Sequence, residues 1–275
     1  MRDKAGIMTA TAPGNFWDAL VPAYERWADP CSALFAEAAL ERAGLRAGSA
    51  VLDVAAGTGA LVGAAASRGY RVRAIDSSPG MVHSLTERLQ PFPGCSATLM
   101  DALNLDYGDG EFDAAFSLFG VMYFGTETAE SLAEMVRVVR PAGIVGVVHW
   151  AVPEGAPYFT ILGRAVNRFD DPEVGQFTVP LSENLKRSEL EDALGKAGCV
   201  DARSESVQVN CPMPAPETFM AELDPFFQNI PQYLAAVSRD RSRFQAILTE
   251  EARLAAAKEN GLHLARANFA YGRVA

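Results

Sequence analysis

The chain holds no run of apolar residues as long as the ~18–20 that a membrane-crossing helix needs, although 49% of its 275 residues are hydrophobic. Its first residues, MRDKAGIMTATAPGN, lack the apolar centre of a secretory signal. Positive charge is in deficit. Lys and Arg number 24 against 34 Asp and Glu, a formal net charge of −10 at pH 7, and such a surface repels nucleic-acid phosphates and anionic lipid. The densest basic run, Arg239, Arg241 and Arg243, is interrupted by Asp240 and reads as a solvated helix face. Of the four cysteines, Cys31, Cys95, Cys199 and Cys211, no two are spaced CxxC, so neither a zinc knuckle nor a thioredoxin-like site is indicated. All four are expected as buried free thiols in a reducing cytoplasm. These absences together predict a soluble, cytoplasmic protein, monomer or homodimer, with no nucleic-acid and no membrane partner.

What is present is an alternation of strand and helix patterns. Short apolar runs at residues 51–54, 70–75, 95–100, 112–119 and 144–148 read as strands. Between them lie a small-residue helix at 59–67, a helix opened by Ser78-Pro79 with Met81, Leu85 and Leu89 on one face, and the stripe Leu132, Met135, Val136 and Val139, which Pro141-Ala142-Gly143 ends. Asp29-Pro30 reads as an N-cap and first helical position for an alanine-rich helix that stops at Gly44. Continuous apolar strands separated by amphipathic helices predict an α/β fold with a doubly wound, mostly parallel sheet. The second half differs. Residues 151–186 suggest one helix and a long loop, Ser188 and Glu191 a capping box, and 202–209 a strand. Residues 215–260 suggest aromatic-rich helices, and 262–273 a last strand.

VLDVAAGTGAL, residues 51–61, joins the first strand to a small-residue turn. In an open parallel sheet the ligand lies beyond the carboxyl ends of the strands, and glycines let the backbone approach it. The acid ending the second strand, Asp76, lies where a ribose-hydroxyl acceptor is expected. The dinucleotide pattern GxGxxG, started from Gly57 and Gly59, puts its third small position on Val62, which spoils the helix–strand contact. No basic or glycine-rich feature compensates to hold a pyrophosphate. The pattern is instead acid-x-small-x-Gly-x-Gly, from Asp53 through Ala55, Gly57 and Gly59.

That pattern resembles motif I of the class I S-adenosylmethionine (SAM)-dependent methyltransferases, with Ala55 in place of the usual first glycine. RVRAIDSSPGM, LMDALNL, FDAAFSLFGVMYF, RPAGIVGVVHW and GLHLARANFAYGRVA resemble the family's later segments in the right order. The resemblance implies a Rossmann-like, seven-stranded sheet with an antiparallel last strand. It implies SAM as cofactor, becoming S-adenosylhomocysteine, and no metal. It places Asp76 with Ser77 at the ribose, Met81 near the adenine, Asp101 at the adenine amino group with Ala102 beside it, and Ser117 at the end of the fourth strand. It also puts Tyr24 on a segment covering the cofactor, a role that Phe16, Trp17 and Trp27 share as candidates. Asp53 is expected to brace the glycine turn through backbone N–H groups. SAM carries hydroxyls and amino groups but no phosphate, which suits carboxylate acceptors.

The segment after strand four is Ser117-Leu118-Phe119-Gly120 rather than Asn/Asp-Pro-Pro-aromatic, which argues against a nucleic-acid amino group as acceptor. Acidic metal ligands are also missing there. The resemblance is therefore to the ubiquinone/menaquinone-type and natural-product branch, with a small, largely apolar acceptor and oxygen favoured over nitrogen or carbon. His149, ending strand five, is the candidate general base. Phe119, Tyr123, Trp150, Phe226 and Phe227 are candidate acceptor walls, and Phe124, Phe159 and Phe177 are further ones. The expected division is N-terminal covering helices at 1–45, a cofactor core at 46–211 and 261–275, and a helical lid at 212–260. Other readings stay open: a methyltransferase-like enzyme catalysing a cyclisation or rearrangement, a non-enzymatic SAM binder, and a nicotinamide oxidoreductase.

Overall fold

The computed structural model describes residues 14–151, 155–177, 187–258 and 263–275. The first residues, much of the expected 170–186 loop and the start of the last strand at Leu262 lie outside them. Seven strands, β1 (Ala50–Val54), β2 (Arg71–Asp76), β3 (Ser96–Leu99), β4 (Phe112–Leu118), β5 (Val139–Trp150), β6 (Cys199–Asn210) and β7 (Leu264–Val274), form one sheet in the order β3-β2-β1-β4-β5-β7-β6. The β1–β2, β2–β3, β1–β4 and β4–β5 pairs are parallel, and the last strand is antiparallel. The chain reverses its direction of travel across the sheet between β1 and β4, so a crevice opens at their carboxyl ends. No helix among the described residues is long and apolar enough to cross a membrane.

The buried strands explain their own sequences. Val51, Leu52 and Val54 are fully covered, as are Ala114, Ala115 and Phe116, because helices lie on both faces. These helices are α1 (Gly14–Ala23), α2 (Asp29–Ala43), α3 (Ala60–Ser67), α4 (Pro79–Leu89), α5 (Thr128–Val138) and α7 (Arg187–Ala197). The α5 stripe, Leu132 and Met135, packs with Leu52, Val145 and Leu194 in one apolar cluster. Ser78 caps α4 by accepting from Met81 N, with Pro79 at its first turn, as expected.

Three local expectations need correction. Asp29-Pro30 does not start a helix out of a loop, because α1 runs on through a π-helical turn, Tyr24–Ala28, straight into α2. Pro30 has no N–H and clashes with a normal preceding turn. The wider turn, closed by Asp29 N on Tyr24 O, admits it without breaking the helix. Ser188 lies inside α7 rather than capping it, and Glu191 accepts from the Ser204 hydroxyl instead. Cys95 and Cys199 are free, Cys95 only half-buried, whereas Cys31 and Cys211 are not free thiols, a state that residue spacing alone does not reveal.

The chain forms two compact units, one chiefly Thr9–His149, Leu185–Val207 and Ala267–Ala275, the other chiefly Trp150–Asn184 and Gln208–Arg266. The second contains α6 (Pro157–Phe169), α8 (Phe219–Phe227) and α9 (Pro231–Lys258), the last broken at Asp240. Phe169, Phe219, Phe227, Tyr233 and Phe244 are fully buried together in its core. The basic run is not wholly a solvated face. Arg239 pairs with Asp171 and Glu173, and Arg243 stacks on Phe169 and donates to its carbonyl. They reach back to the end of α6 and the segment after it, a pairing invisible in the run itself.

The turn after β1 carries strain at one position. Ala55 has φ 54°, a left-handed conformation that costs an L-residue about 1–2 kcal/mol and accounts for the glycine usual there. Gly120 accommodates the extra methyl. A Cβ on Gly120 would fall 2.6 Å from Ala55 Cβ and 2.7 Å from Ser117 Oγ. Ala55→Gly is expected to raise stability by up to about 1 kcal/mol after the unfolded-state entropy of glycine is deducted. Gly120→Ala is expected to lower it by about 1–3 kcal/mol through overpacking. Urea unfolding measures both, and unchanged midpoints would contradict the packing argument.

Candidate active site

Asp76 at the end of β2 organises the crevice. Its Oδ2 accepts from Gly57 N at 2.9 Å and its Oδ1 from Ser78 N at 2.9 Å. One carboxylate thus fixes both the glycine turn and the entry to α4. Gly57 has φ 58°, and a Cβ placed on it would sit 3.9 Å from the ring of Tyr24. The phenol of the N-terminal segment therefore roofs the turn. Gly59, φ 98°, has no room for a side chain because Leu85 lies 2.8 Å from the Cβ position.

Acidic residues fasten that roof. Asp18 Oδ1 accepts from Ser78 Oγ at 2.5 Å and Gly80 N at 2.8 Å. Glu25 accepts from Ser84 Oγ at 2.6 Å, and Asp29 pairs with Arg88 at 2.7 Å. Asp18, Glu25 and Asp29 recur at i, i+7 and i+11, and Gly80, Ser84 and Arg88 at i, i+4 and i+8, so one face of each helix meets the other. Sequence reasoning missed this seam, although its periodicity was present. Trp17 lies edge-on to Tyr24 and to Tyr123, with centroids 6.2 and 5.3 Å away. Burial pushes the Tyr123 phenol up to about 12 and raises that of Tyr24 too, with Tyr123, Asp29 and Asp76 adding to the effect.

Two further polar groups at the carboxyl edge are buried and unsatisfied. Asp53, 2% exposed, lies next to the end of β1, and its Oδ2 has no hydrogen-bond partner among the described residues. The expected brace to the glycine turn is made by Asp76 instead. Burial, followed by the charges of Asp76 and Asp29, holds the Asp53 carboxyl well above the usual carboxylate range. Burial likewise raises Asp76 despite its backbone donors, and raises Asp29 despite Arg88. His149, 2% exposed near the end of β5, has neither ring nitrogen bonded among the described residues. Burial brings its pKa down to about 4, so the imidazole is neutral at pH 7. The ordinary value of ~6.5 does not apply to it.

The remaining candidates take varied places. Asp101, one residue past Met100, whose N–H donates to Asp76 O, lies at the same edge and is exposed, with its carboxylate accepting from Leu103 N. Ala102 and Met81 are buried, Ser77 is exposed, and Ser117 is buried and accepts from Val121 N. Phe119 follows β4 with φ 58° and packs edge-on against Phe35. Its N–H bonds Val148 O, directly before His149. Trp150 is half-buried. In the second unit, half-buried Phe226 stacks with Tyr158, while Phe227 is core. His83 is exposed beside Glu87.

Strand order and parallel pairings are those of the Rossmann-like fold seen in class I SAM-dependent methyltransferases. Residues 51–143 match the family model described as a methyltransferase domain. A demethylmenaquinone methyltransferase from Beutenbergia cavernae is 36% identical over 139 residues, covering 50% of this chain and 56% of the relative. One from Corynebacterium kroppenstedtii is 35% identical over 128 residues, covering 46% and 53%. The chain thus spans about half the length of these relatives. Among solved structures, a protein from an antibiotic biosynthesis pathway of Anabaena variabilis superposes with TM-score 0.62 at 20% identity, covering 87% of this chain and 96% of that one. The four-plus-two cyclase SpnF gives 0.56 at 18% identity, covering 98% of both. At such identities the likeness is one of fold.

The buried acids and base pull stability in opposite directions with pH. Asp53, with its native pKa raised, keeps a proton that the unfolded chain loses above ~3.9. Its contribution therefore falls as pH rises from there through the raised native value. His149, depressed to about 4, makes a contribution that is lost as pH falls from ~6.5 toward that value. Asp53→Asn is expected to stabilise the ligand-free protein at about pH 8 by about 1–3 kcal/mol, the scale of an unsatisfied buried group, and far less near pH 4. Thermal unfolding at the two pH values checks this, and equal effects at both would contradict it.

Proposed function

We propose that the protein is a SAM-dependent methyltransferase acting on a small, largely apolar organic molecule at a hydroxyl oxygen. The observation that carries this reading is the unmet demand at the carboxyl edge of the sheet. Among the described residues, Asp53 Oδ2 and both nitrogens of His149 are buried without partners, and such groups cost stability unless a ligand satisfies them. The residues present fit SAM. Asp76 offers acceptor lone pairs to ribose hydroxyls, Asp101 is placed for the adenine amino group, and Tyr24 covers the turn. Met81 and Ala102 supply apolar contact, while Ser77 and Ser117 flank the site. The family match, the demethylmenaquinone methyltransferase relatives and the fold all support this reading.

Bound SAM supplies a methyl group on a sulfonium, an excellent leaving group that becomes a neutral thioether. The chain's part is then positioning and exclusion of water. Phe119 and Tyr123 form apolar walls near His149. Neutral His149 accepts the hydrogen bond of the acceptor hydroxyl and takes its proton as the oxygen–carbon bond forms.

Micromolar binding of SAM and S-adenosylhomocysteine in calorimetry, weakened at least ~100-fold by Asp76→Ala (about 2.7 kcal/mol), is the expected outcome. Binding of NAD alone, or of none, would overturn the assignment. With phenolic acceptors, His149→Ala is expected to lower kcat at least ~100-fold. The acid limb of wild-type kcat/KM should lie near 4 rather than ~6.5. An unchanged kcat in the variant would remove His149 from the chemistry. Turnover without S-adenosylhomocysteine as product would favour the cyclisation or rearrangement reading.

A further inference from the structure

The start of α4 is completed by a residue from another helix. Three positions follow its cap at Ser78, and their backbone donors can all be accounted for. Pro79 has none to offer. The Met81 N–H donates to the Ser78 hydroxyl oxygen at 3.1 Å. The Gly80 N–H donates to Asp18 Oδ1, on α1, at 2.8 Å, and the same oxygen accepts from the Ser78 hydroxyl at 2.5 Å. Val82 N then makes a regular helical bond to Ser78 O. A carboxylate suits that place, because a helix N-terminus favours negative charge. The fit is close because position 80 is glycine. A Cβ on it would lie 2.9 Å from Asp18 Oδ1 and 3.1 Å from Asp18 Cα, so any larger residue would lift the α1 backbone off α4. Every residue of this contact lies in one compact unit.

Resting on the SAM reading above, we propose that Asp18 is a positioning residue for the cofactor site, holding the Asp76 carboxylate and the Tyr24 ring in register from the N-terminal helix. Two routes lead from it to the site. One runs through Ser78, whose hydroxyl Asp18 orients and whose N–H donates to Asp76 Oδ1. Asp76 Oδ2 in turn holds Gly57 N. The other runs along the chain, which passes from α1 through the π-helical turn into α2 without a break. The seat of Asp18 on α4 therefore sets the seat of Tyr24 over the Gly57 turn. Ser78 is 1% exposed, so loss of the Asp18 carboxylate strands its hydroxyl proton and the Gly80 N–H unless the roof opens to water. A cofactor held between Asp76 and Tyr24 then leaves faster. The effect falls on SAM and S-adenosylhomocysteine alike, because they share the adenosine that Asp76 and Tyr24 hold.

Calorimetry of the full chain with SAM and with S-adenosylhomocysteine, and a chase that follows release of bound radiolabelled S-adenosylhomocysteine, test this. Asp18→Ala is expected to weaken both ligands about tenfold, the scale of one hydrogen bond to a charged group, and to speed release by a similar factor. Asp18→Asn keeps the accepting oxygen and should stay within about threefold of wild type. Gly80→Ala favours α4 as a helix, yet it should weaken both ligands as Asp18→Ala does. The double variant should bind no worse than either single one, because both undo the same contact. Should Asp18→Ala fail to fold, Gly80→Ala carries the test alone. Release at the wild-type rate in these variants, with only the unfolding midpoint lowered, would make the contact merely structural and overturn this inference while leaving the cofactor reading intact. So would equal losses in Asp18→Asn and Asp18→Ala, or additive losses in the double variant. Failure of the wild-type chain to bind either ligand would overturn the cofactor reading and this inference with it.

Discussion

Everything in the crevice depends on the two backbone hydrogen bonds accepted by Asp76. One oxygen fixes the turn after β1 through Gly57, and the other fixes the start of α4 through Ser78. Each bond is ordinary in length, but the carboxylate that makes them is desolvated enough to raise its pKa against the pull of those donors. It is the hinge between the two edges of the site. The turn takes its left-handed residues there, and α4 presents Gly80, Ser84 and Arg88 to the N-terminal helices. The roof of Tyr24 follows from that seam.

The arrangement is costly in a specific way. Ala55 and Phe119 hold left-handed backbone without being glycine, and Asp53 and His149 hold buried polar atoms without partners among the described residues. Strain and unmet polarity gathered at one edge of an otherwise well-packed sheet are the usual signature of a site whose ligand completes it. The second unit is different in kind. Its aromatics pack on one another, and its arginines Arg239 and Arg243 are tied to the end of α6 and the segment after it.

The fold was legible because its signals are local. Apolar runs such as 51–54 and 112–119, punctuated by glycine and aspartate, mark parallel strands, and Ser78-Pro79 marked a helix start that formed as read. The errors came where a residue's role is set by distant partners. Asp29-Pro30 looks like a helix cap until the π-helical turn before it is seen. Ser188 and Glu191 have capping-box spacing, but Ser204 claims the carboxylate. Asp53 seemed the natural brace for the glycine turn, whereas Asp76 makes that bond from the neighbouring strand. Asp76, Gly57 and Tyr24 were singled out from motif order, and the structure brings the three together at one turn. The Asp18–Glu25–Asp29 seam was not read, because it emerges only when two helix faces are paired. The depressed basicity of His149 comes from burial, which residue type does not disclose.

The most direct test of the central claim is a crystal structure of the protein grown with S-adenosylhomocysteine. The account expects the ribose hydroxyls on the Asp76 carboxylate beside the Gly57 turn, with Tyr24 closed over them. A crevice empty at saturating ligand, or a nucleoside bound away from Asp76, would contradict it.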